Sequence, residues 1–459
     1  MARVIETSRG NGAPRASRGP DGWGVYLLLA VALAPIVVPT GPAELAVLDP
    51  FNLLALACFA AAFLVRRGPL RAPFAATVLV ISAGSLVAVV NAESVSASVL
   101  AMVQDAYLYL WFVALVNVMR GRGDLIGLRL AWMWVADAVA LYGLAGIARH
   151  GHVSPLQMLG PHGMRAVGTF SNPNMFADYL AMSLFIVLSL SEHAGRVVRW
   201  ASIAVLLAAI AATKSIGGTL SLLVGLAVWA LVRARTLRLP APALAAAALL
   251  AASVLLAAFG LNAGVGLGEN QLRRLREHSF AARLEHSEAG RLKIWGQLQQ
   301  TYARSPLGLG PGNSRWVTLS VEQRERPNSM YSKEAHNDYL AYAIERGPLA
   351  ALALLVLLGQ AFWKISSGWR GRVRAGTADR AASALAAGLA GALACSVAHS
   401  FTLERLHLRH FWLLLAMVCA VAEAAGTTAA RARRPAADGP SNPAAALEER
   451  EPRLAAAGA

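Results

Sequence analysis

Charge is what this chain has least of. Only 15% of its 459 residues are Asp, Glu, Lys or Arg, where a soluble domain carries roughly 25%. Carboxylates are the scarcer kind, 26 against 42 Lys and Arg. Cysteine is nearly absent: Cys58, Cys395 and Cys419 all lie inside apolar blocks, which argues against a disulfide framework and leaves buried or lipid-facing thiols. Gly308, Gly310 and Gly312 lack the Lys-Ser/Thr ending and strand context of a phosphate loop, and read as a turn. The polar connectors hold no Asp-x-Asp pair, so a metal-dependent sugar transfer lacks its usual ligands. His150, His152 and His162 share a loop without a supporting carboxylate and make a poor metal set. No cleavage signal follows Arg3, Arg9, Arg15 and Arg18, so the apolar run after them reads as an uncleaved first span.

Long hydrophobic runs fill the space that charge leaves. They account for most of the 56% of residues that are hydrophobic. Blocks of roughly 14–22 residues fall at about 23–39, 46–65, 72–90, 97–119, 130–148, 173–190, 200–213, 217–232, 239–260, 347–363, 380–400 and 410–424. The block at 200–213 is short enough to tilt or break. A net charge of +16 could serve nucleic acid, but these cations cluster between apolar blocks and so set topology. Arginines follow the even-numbered spans: Arg66, Arg67 and Arg71; Arg120 and Arg122; Arg196 and Arg199; Arg233, Arg235 and Arg238; Arg370, Arg372 and Arg374; Arg431, Arg433 and Arg434. Odd connectors up to the seventh span are poorer in charge.

The fold expected is an all-α polytopic membrane protein of about 12 transmembrane helices, with both ends cytoplasmic and one long, partly helical external loop. A basic tail occupies 1–22, helices one to nine 23–260, the loop 261–346, helices ten to twelve 347–424. A disordered cytoplasmic tail rich in Ala, Pro, Arg and Glu fills 425–459.

The chemistry concentrates in Gly290–Gly347. Arg291 and Trp295 stand i,i+4 on one helix face, continued by Leu298 and Tyr302. A glycine-rich turn runs from Pro306 to Gly312. A second helix is expected from Ser332 as N-cap to a stop at Gly347-Pro348, with His336 and Asn337 in its first turn. His336 is the candidate base, its pKa near 6.5 permitting the role without signalling it; a solvated or structural histidine is the plainer reading. Arg165, just before the chain returns to the membrane at Pro173, and Arg291 and Lys214 could bind a diphosphate at the membrane surface. They could equally anchor span ends at headgroups, and Trp295 could be a packing or interface residue.

Three blocks, RAVGTFSNPNMFADYLAM (Arg165–Met182), RLKIWGQL with PLGLGPGN (Arg291–Leu298, Pro306–Asn313) and HNDYLAYAIERG (His336–Gly347), resemble the O-antigen ligase and polymerase family. The resemblance covers roughly Arg165 to Trp412. It implies transfer of a glycan from an undecaprenyl-diphosphate donor to an acceptor hydroxyl, on lipid A-core or a growing glycan, at the periplasmic face of the bacterial inner membrane. It implies neither a metal nor a nucleotide cofactor, and no nucleic-acid partner. His336 becomes the catalytic base, Arg165 and Arg291 the diphosphate ligands, with Asn174, Trp295 and Asn337 supporting them from the same blocks. One departure stands out: where the family often has Ser-Arg-Gly at the outer end of a middle span, this chain reads Lys214-Ser215-Ile216-Gly217-Gly218. Ile216 cannot hold a phosphate, and Lys214 could substitute as a point charge without the bidentate fork. The motifs do not separate a ligase from a polymerase of capsule or exopolysaccharide repeats. A transporter would need charges inside spans, for which Asp105 and Asp137 are the candidates.

Overall fold

The computed structural model describes residues 22–37, 46–66, 69–119, 125–150, 165–170, 172–237, 295–314 and 335–432. Among these residues the chain is helical, with one isolated bridge between Val37 and Ala46. In order the helices are α1 (Gly22–Leu33), α2 (Asp49–Arg66), α3 (Ala75–Ala88), α4 (Val95–Met119), α5 (Ile126–His150), α6 (Pro173–Ser189), α7 (Arg196–Thr213) and α8 (Ile216–Leu237). Then come α9 (295–304), α10 (Asp338–Arg374), α11 (Arg380–His399) and α12 (Arg409–Ala432). Six of them are long and apolar enough to cross a membrane, and α1, α2, α3 and α6 are shorter apolar helices. The apolar block at 239–260 lies outside the described residues.

Local chemistry accounts for the boundaries. Pro35 has no N–H to donate and disfavours helix at the residue before it, so α1 ends at Leu33, short of the span expected to reach 39. The short block at 200–213 is an unbroken helix, extended back to Arg196. Asn172 caps α6 by accepting from the Asn174 N–H at 2.8 Å, with Pro173 in the first turn. Asp379 caps α11 through the Ala382 N–H at 2.7 Å.

The second helix of the polar stretch does not follow the sequence expectation. Asn337 is its N-cap, accepting from the Leu340 N–H at 3.0 Å, and the helix begins at Asp338. His336 and Asn337 therefore precede the first turn, and His336 holds a left-handed φ of 49°. Ser332 lies outside the described residues. Gly347-Pro348 breaks the helix without ending it: Gly347 takes φ 81°, ψ 170°, and the helix resumes to Arg374. Pro348 cannot satisfy the Ile344 carbonyl, so that carbonyl accepts from the Leu309 N–H at 2.9 Å, and the Glu345 carbonyl takes the Gly310 N–H at 2.9 Å. The break is thus what docks the glycine turn.

Helix α11, sequence RAASALAAGLAGALACSVAH, is buried on nearly every face. Its small residues let α6 and α8 approach closely. A Cβ at Gly388 would lie 2.7 Å from the Phe185 carbonyl, and one at Gly391 2.5 Å from the Phe185 ring. All three cysteines are free, Cys395 and Cys419 buried and Cys58 exposed on α2.

The connectors after odd-numbered helices gather at one end of the bundle. The Val37 N–H reaches the Thr169 carbonyl, and Thr169 Oγ1 donates to the Pro35 carbonyl at 2.6 Å. Asn91 donates to the Gly308 carbonyl at 3.0 Å, and Ser94 and Ser98 bind the Asn313 amide. Asp49 at the start of α2 pairs with Arg409 at the start of α12, Nε to Oδ1 at 2.9 Å. The opposite end collects arginines on carbonyls: Arg129 on Ser189 at 2.9 Å, Arg199 on Ser191, and Arg233 on Arg380 at 3.0 Å.

Candidate functional site

Two clusters of the singled-out residues form at the odd-connector end. The first lies where α6, α7 and α8 meet. Arg165 Nε donates to the Thr213 carbonyl at 2.7 Å and its Nη2 to Asn174 Oδ1 at 3.0 Å. Ser215 Oγ donates to the same Asn174 oxygen at 2.8 Å, and accepts from the Gly218 N–H at 3.1 Å, capping α8. Lys214 sits between the helices as the C-cap of α7, at φ 51°. Asn174 thus holds the guanidinium of Arg165 and the α7–α8 turn in one frame. Ile216 is the first residue of α8, so the position where the family often has arginine belongs to this same turn.

The second cluster joins α9 to the start of α10. Leu298 is fully buried against Leu309, Ala335, Ala341 and Ile344, with Trp295 and Tyr302 packed beside it. The Trp295–Leu298–Tyr302 face expected from the spacing is therefore real, and it is a packing face. Trp295 also donates its indole N–H to the Ala335 carbonyl at 2.9 Å, fixing the residue before His336. The His336 N–H donates to Glu404 Oε1 at 3.0 Å. The glycine turn closes on Glu345, whose carboxylate accepts from the Gly312 N–H at 2.8 Å and the Ser314 N–H at 3.0 Å. Arg291, His152 and His162 lie outside the described residues.

The clusters touch through the N-terminus of α8 and the α11–α12 turn. A Cβ at Gly217 would stand 2.2 Å from Thr402 Oγ1 and 3.4 Å from the His399 ring, so only glycine permits this approach. Thr402 belongs to the turn whose Ser400 carbonyl accepts the Asp338 N–H at 2.9 Å. Arg165, Asn174 and Lys214 on one side and Trp295, His336 and Asn337 on the other thus share one end of the bundle. Of the positive-φ non-glycine residues among those described, Phe74, Leu125, Lys214 and His336, two are residues the sequence already marked. Such conformations persist only where the surroundings over-determine them, and they concentrate at functional sites.

The span carboxylates named for a transport path are both engaged. Asp105 pairs with Arg346, which also donates to Ser85 Oγ at 2.9 Å and lies 4.6 Å over the Tyr342 ring. Asp137 accepts from Ser202 Oγ at 2.6 Å. Sequence reading passes over a third, Asp178 of α6, which is fully buried and receives His399, Arg405 and His410. It carries the same signal as the other two, a carboxylate within an apolar block.

Residues 201–355 match the family model described as O-antigen ligase. That stretch holds Lys214, Arg291, Trp295, His336 and Asn337, while Arg165, Asn174 and the α11–α12 turn lie outside it. No curated protein matches the chain. The O-antigen ligase family is thus what residues 201–355 are similar to, and helices long and apolar enough to cross a membrane stand around that stretch.

Proposed function

We propose that this protein transfers a glycan from an undecaprenyl-diphosphate carrier to an acceptor hydroxyl at the periplasmic face of the bacterial inner membrane, the acceptor being lipid A-core. The observation that carries the reading is the convergence of the Arg165–Asn174–Lys214 cluster and the His336 turn at one end of the bundle. The match of residues 201–355 to the O-antigen ligase family model supports the reaction class.

The chemistry follows from charge and geometry. The acceptor oxygen attacks the anomeric carbon as the bond from that carbon to the diphosphate oxygen breaks. The bonding pair leaves with the diphosphate. Arg165, Arg291 and Lys214 offset the negative charge that grows there, Arg165 with its fork already oriented by Asn174. His336 takes the hydroxyl proton as the new bond forms. Attack opposite the leaving group inverts the anomeric configuration. The polyprenyl tail lies between helices, open to lipid.

Purified protein in proteoliposomes, given lipid-linked glycan and lipid A-core, tests this. Glycan joined to core, with release of undecaprenyl diphosphate, is the expected result. Extension of the glycan on its own carrier would make the protein a polymerase of the same family. Movement of the donor across the bilayer with no new glycosidic bond would make it a transporter and contradict the proposal.

A further inference from the structure

Among the described residues, the most heavily buried cluster of ionisable side chains lies outside the residues that the proposed reaction uses. Asp178, His399, Arg405 and His410 have side chains at most 1% exposed. Asp178 Oδ1 faces His399 Nδ1 at 3.1 Å. Its Oδ2 takes Arg405 Nε at 2.9 Å and faces His410 Nε2 at 3.0 Å. Arg405 Nη1 donates to the Ser396 carbonyl at 3.1 Å, and its guanidinium lies 4.6 Å over the Phe411 ring. The four residues come from α6, α11, the 400–408 turn and α12.

Stability alone does not explain such a group. Ionisable side chains among apolar helices are costly to bury, and a well-packed apolar replacement is often at least as stable. The network is also not fully satisfied. His399 Nε2, His410 Nδ1 and Arg405 Nη2 have no hydrogen-bond partner among the described residues. A partly satisfied buried network is a poor stabiliser.

What the network does hold is the turn beneath His336. Arg405 is anchored to Asp178 by its side chain, while its backbone N–H donates to Asp338 Oδ1 at 3.1 Å. Glu404, its neighbour, accepts the His336 N–H at 3.0 Å. Ser400, earlier in the turn, accepts the Asp338 N–H at 2.9 Å. The turn is therefore stitched to residues 336–338 at three points, and Arg405 on Asp178 fixes the turn to the bundle. His336 keeps its left-handed φ of 49° within this frame.

We propose that Asp178 and Arg405 are positioning residues, which act through the 400–405 turn to set where the His336 imidazole meets the acceptor hydroxyl. The inference rests on the reading of His336 as base. A base displaced by a fraction of an ångström loses its alignment with the acceptor, and a misplacement of about 1 Å costs on the order of a hundredfold in rate. Arg165 is held instead by the Thr213 carbonyl and Asn174, and the two clusters meet where Gly217 packs on Thr402 and the His399 ring, so loss of the anchor is expected to show in kcat more than in donor KM.

The test compares Asp178→Asn, Arg405→Lys, Glu404→Gln and His336→Gln in the purified transfer assay, with kcat and donor KM measured separately. Asp178→Asn and Arg405→Lys should each lower kcat by roughly tenfold to a hundredfold, with donor KM within about twofold of wild type. Asp178→Asn combined with Glu404→Gln should be little worse than the worse single variant, because both act along one route. Wild-type kcat in Asp178→Asn and Arg405→Lys beside an inert His336→Gln would overturn the positioning role alone. An active His336→Gln would instead overturn the base it serves. If Asp178→Asn does not accumulate in the membrane, Arg405→Lys, which keeps the buried charges balanced, carries the same comparison. Failure of both to accumulate, or a donor KM that rises in step with lost thermal stability, would assign the network to folding and overturn the inference.

Discussion

Arg165 shows what a single side chain gains from its neighbours. Two of its donors are already directed, one to the Thr213 carbonyl and one to Asn174, so its guanidinium is oriented before any anion arrives. Arg165→Ala should therefore cost transfer about 1.5–3 kcal/mol, roughly tenfold to more than a hundredfold in rate. Arg165→Lys should recover part of that, since charge survives and the planar fork does not. Normal initial rates in both variants, at equal protein levels, would remove Arg165 from the site. Lys214 allows a cleaner separation of backbone from charge. Its φ of 51° suits glycine, so Lys214→Gly should leave melting temperature equal to or above wild type. If the ammonium serves the diphosphate, the same variant should still raise donor KM. The candidate residues were readable because they stand in ordered motifs. Their partners were not: nothing in the spacing of Glu404 or Asp178 says which helix each will meet.

At the scale of elements, the apolar blocks that fall on described residues mark helices and miss what happens at their ends. From sequence the Gly347-Pro348 pair reads as a stop, because proline cannot continue the hydrogen-bond ladder. It is a break because the freed carbonyls of Ile344 and Glu345 find the N–H groups of Leu309 and Gly310 in a segment far away in sequence. Gly347→Ala should then damage more than helix propensity would suggest. Alanine strains a φ of 81°, and its Cβ would stand 2.7 Å from the Leu307 carbonyl. The expected result is a loss of about 1–3 kcal/mol of stability, seen as a lower melting temperature in detergent. Gly388 on α11 makes a second case. Its added methyl would meet the Phe185 carbonyl at 2.7 Å and Ser189 Cβ at 2.5 Å, and backbone there cannot step aside cheaply. Gly388→Ala should destabilise by about 1–3 kcal/mol, whereas Gly359→Ala, with open space around it, should not. Equal melting temperatures for the two would contradict the close packing of α6 on α11.

For the whole molecule, the pattern of arginines and the gathering of connectors describe the same axis. Arg129, Arg199 and Arg233 lie at the end opposite the His336 turn, as the alternation of charge along the chain leads one to expect. The helical build of the described residues, six of their helices long and apolar enough to cross a membrane, is legible because long apolar runs admit little else. The helix-by-helix order of contact was not, because small residues such as those of α11 pack without a distinctive signal. The proposed reaction requires the 261–346 segment to be periplasmic. A cysteine introduced as Ser320→Cys, in a Cys58→Ser background, should react with an impermeant reagent in cells whose outer membrane alone is permeabilised. Labelling only after lysis would reverse the orientation.

Single-turnover transfer by purified His336→Gln tests most directly whether His336 removes the acceptor proton at a site facing the donor diphosphate. Glutamine keeps a hydrogen bond but has no basic nitrogen. Donor binding close to wild type and a transfer rate lower by about 10²–10⁴-fold are expected. Transfer at the wild-type rate, with the same product and the same anomeric configuration, would contradict it.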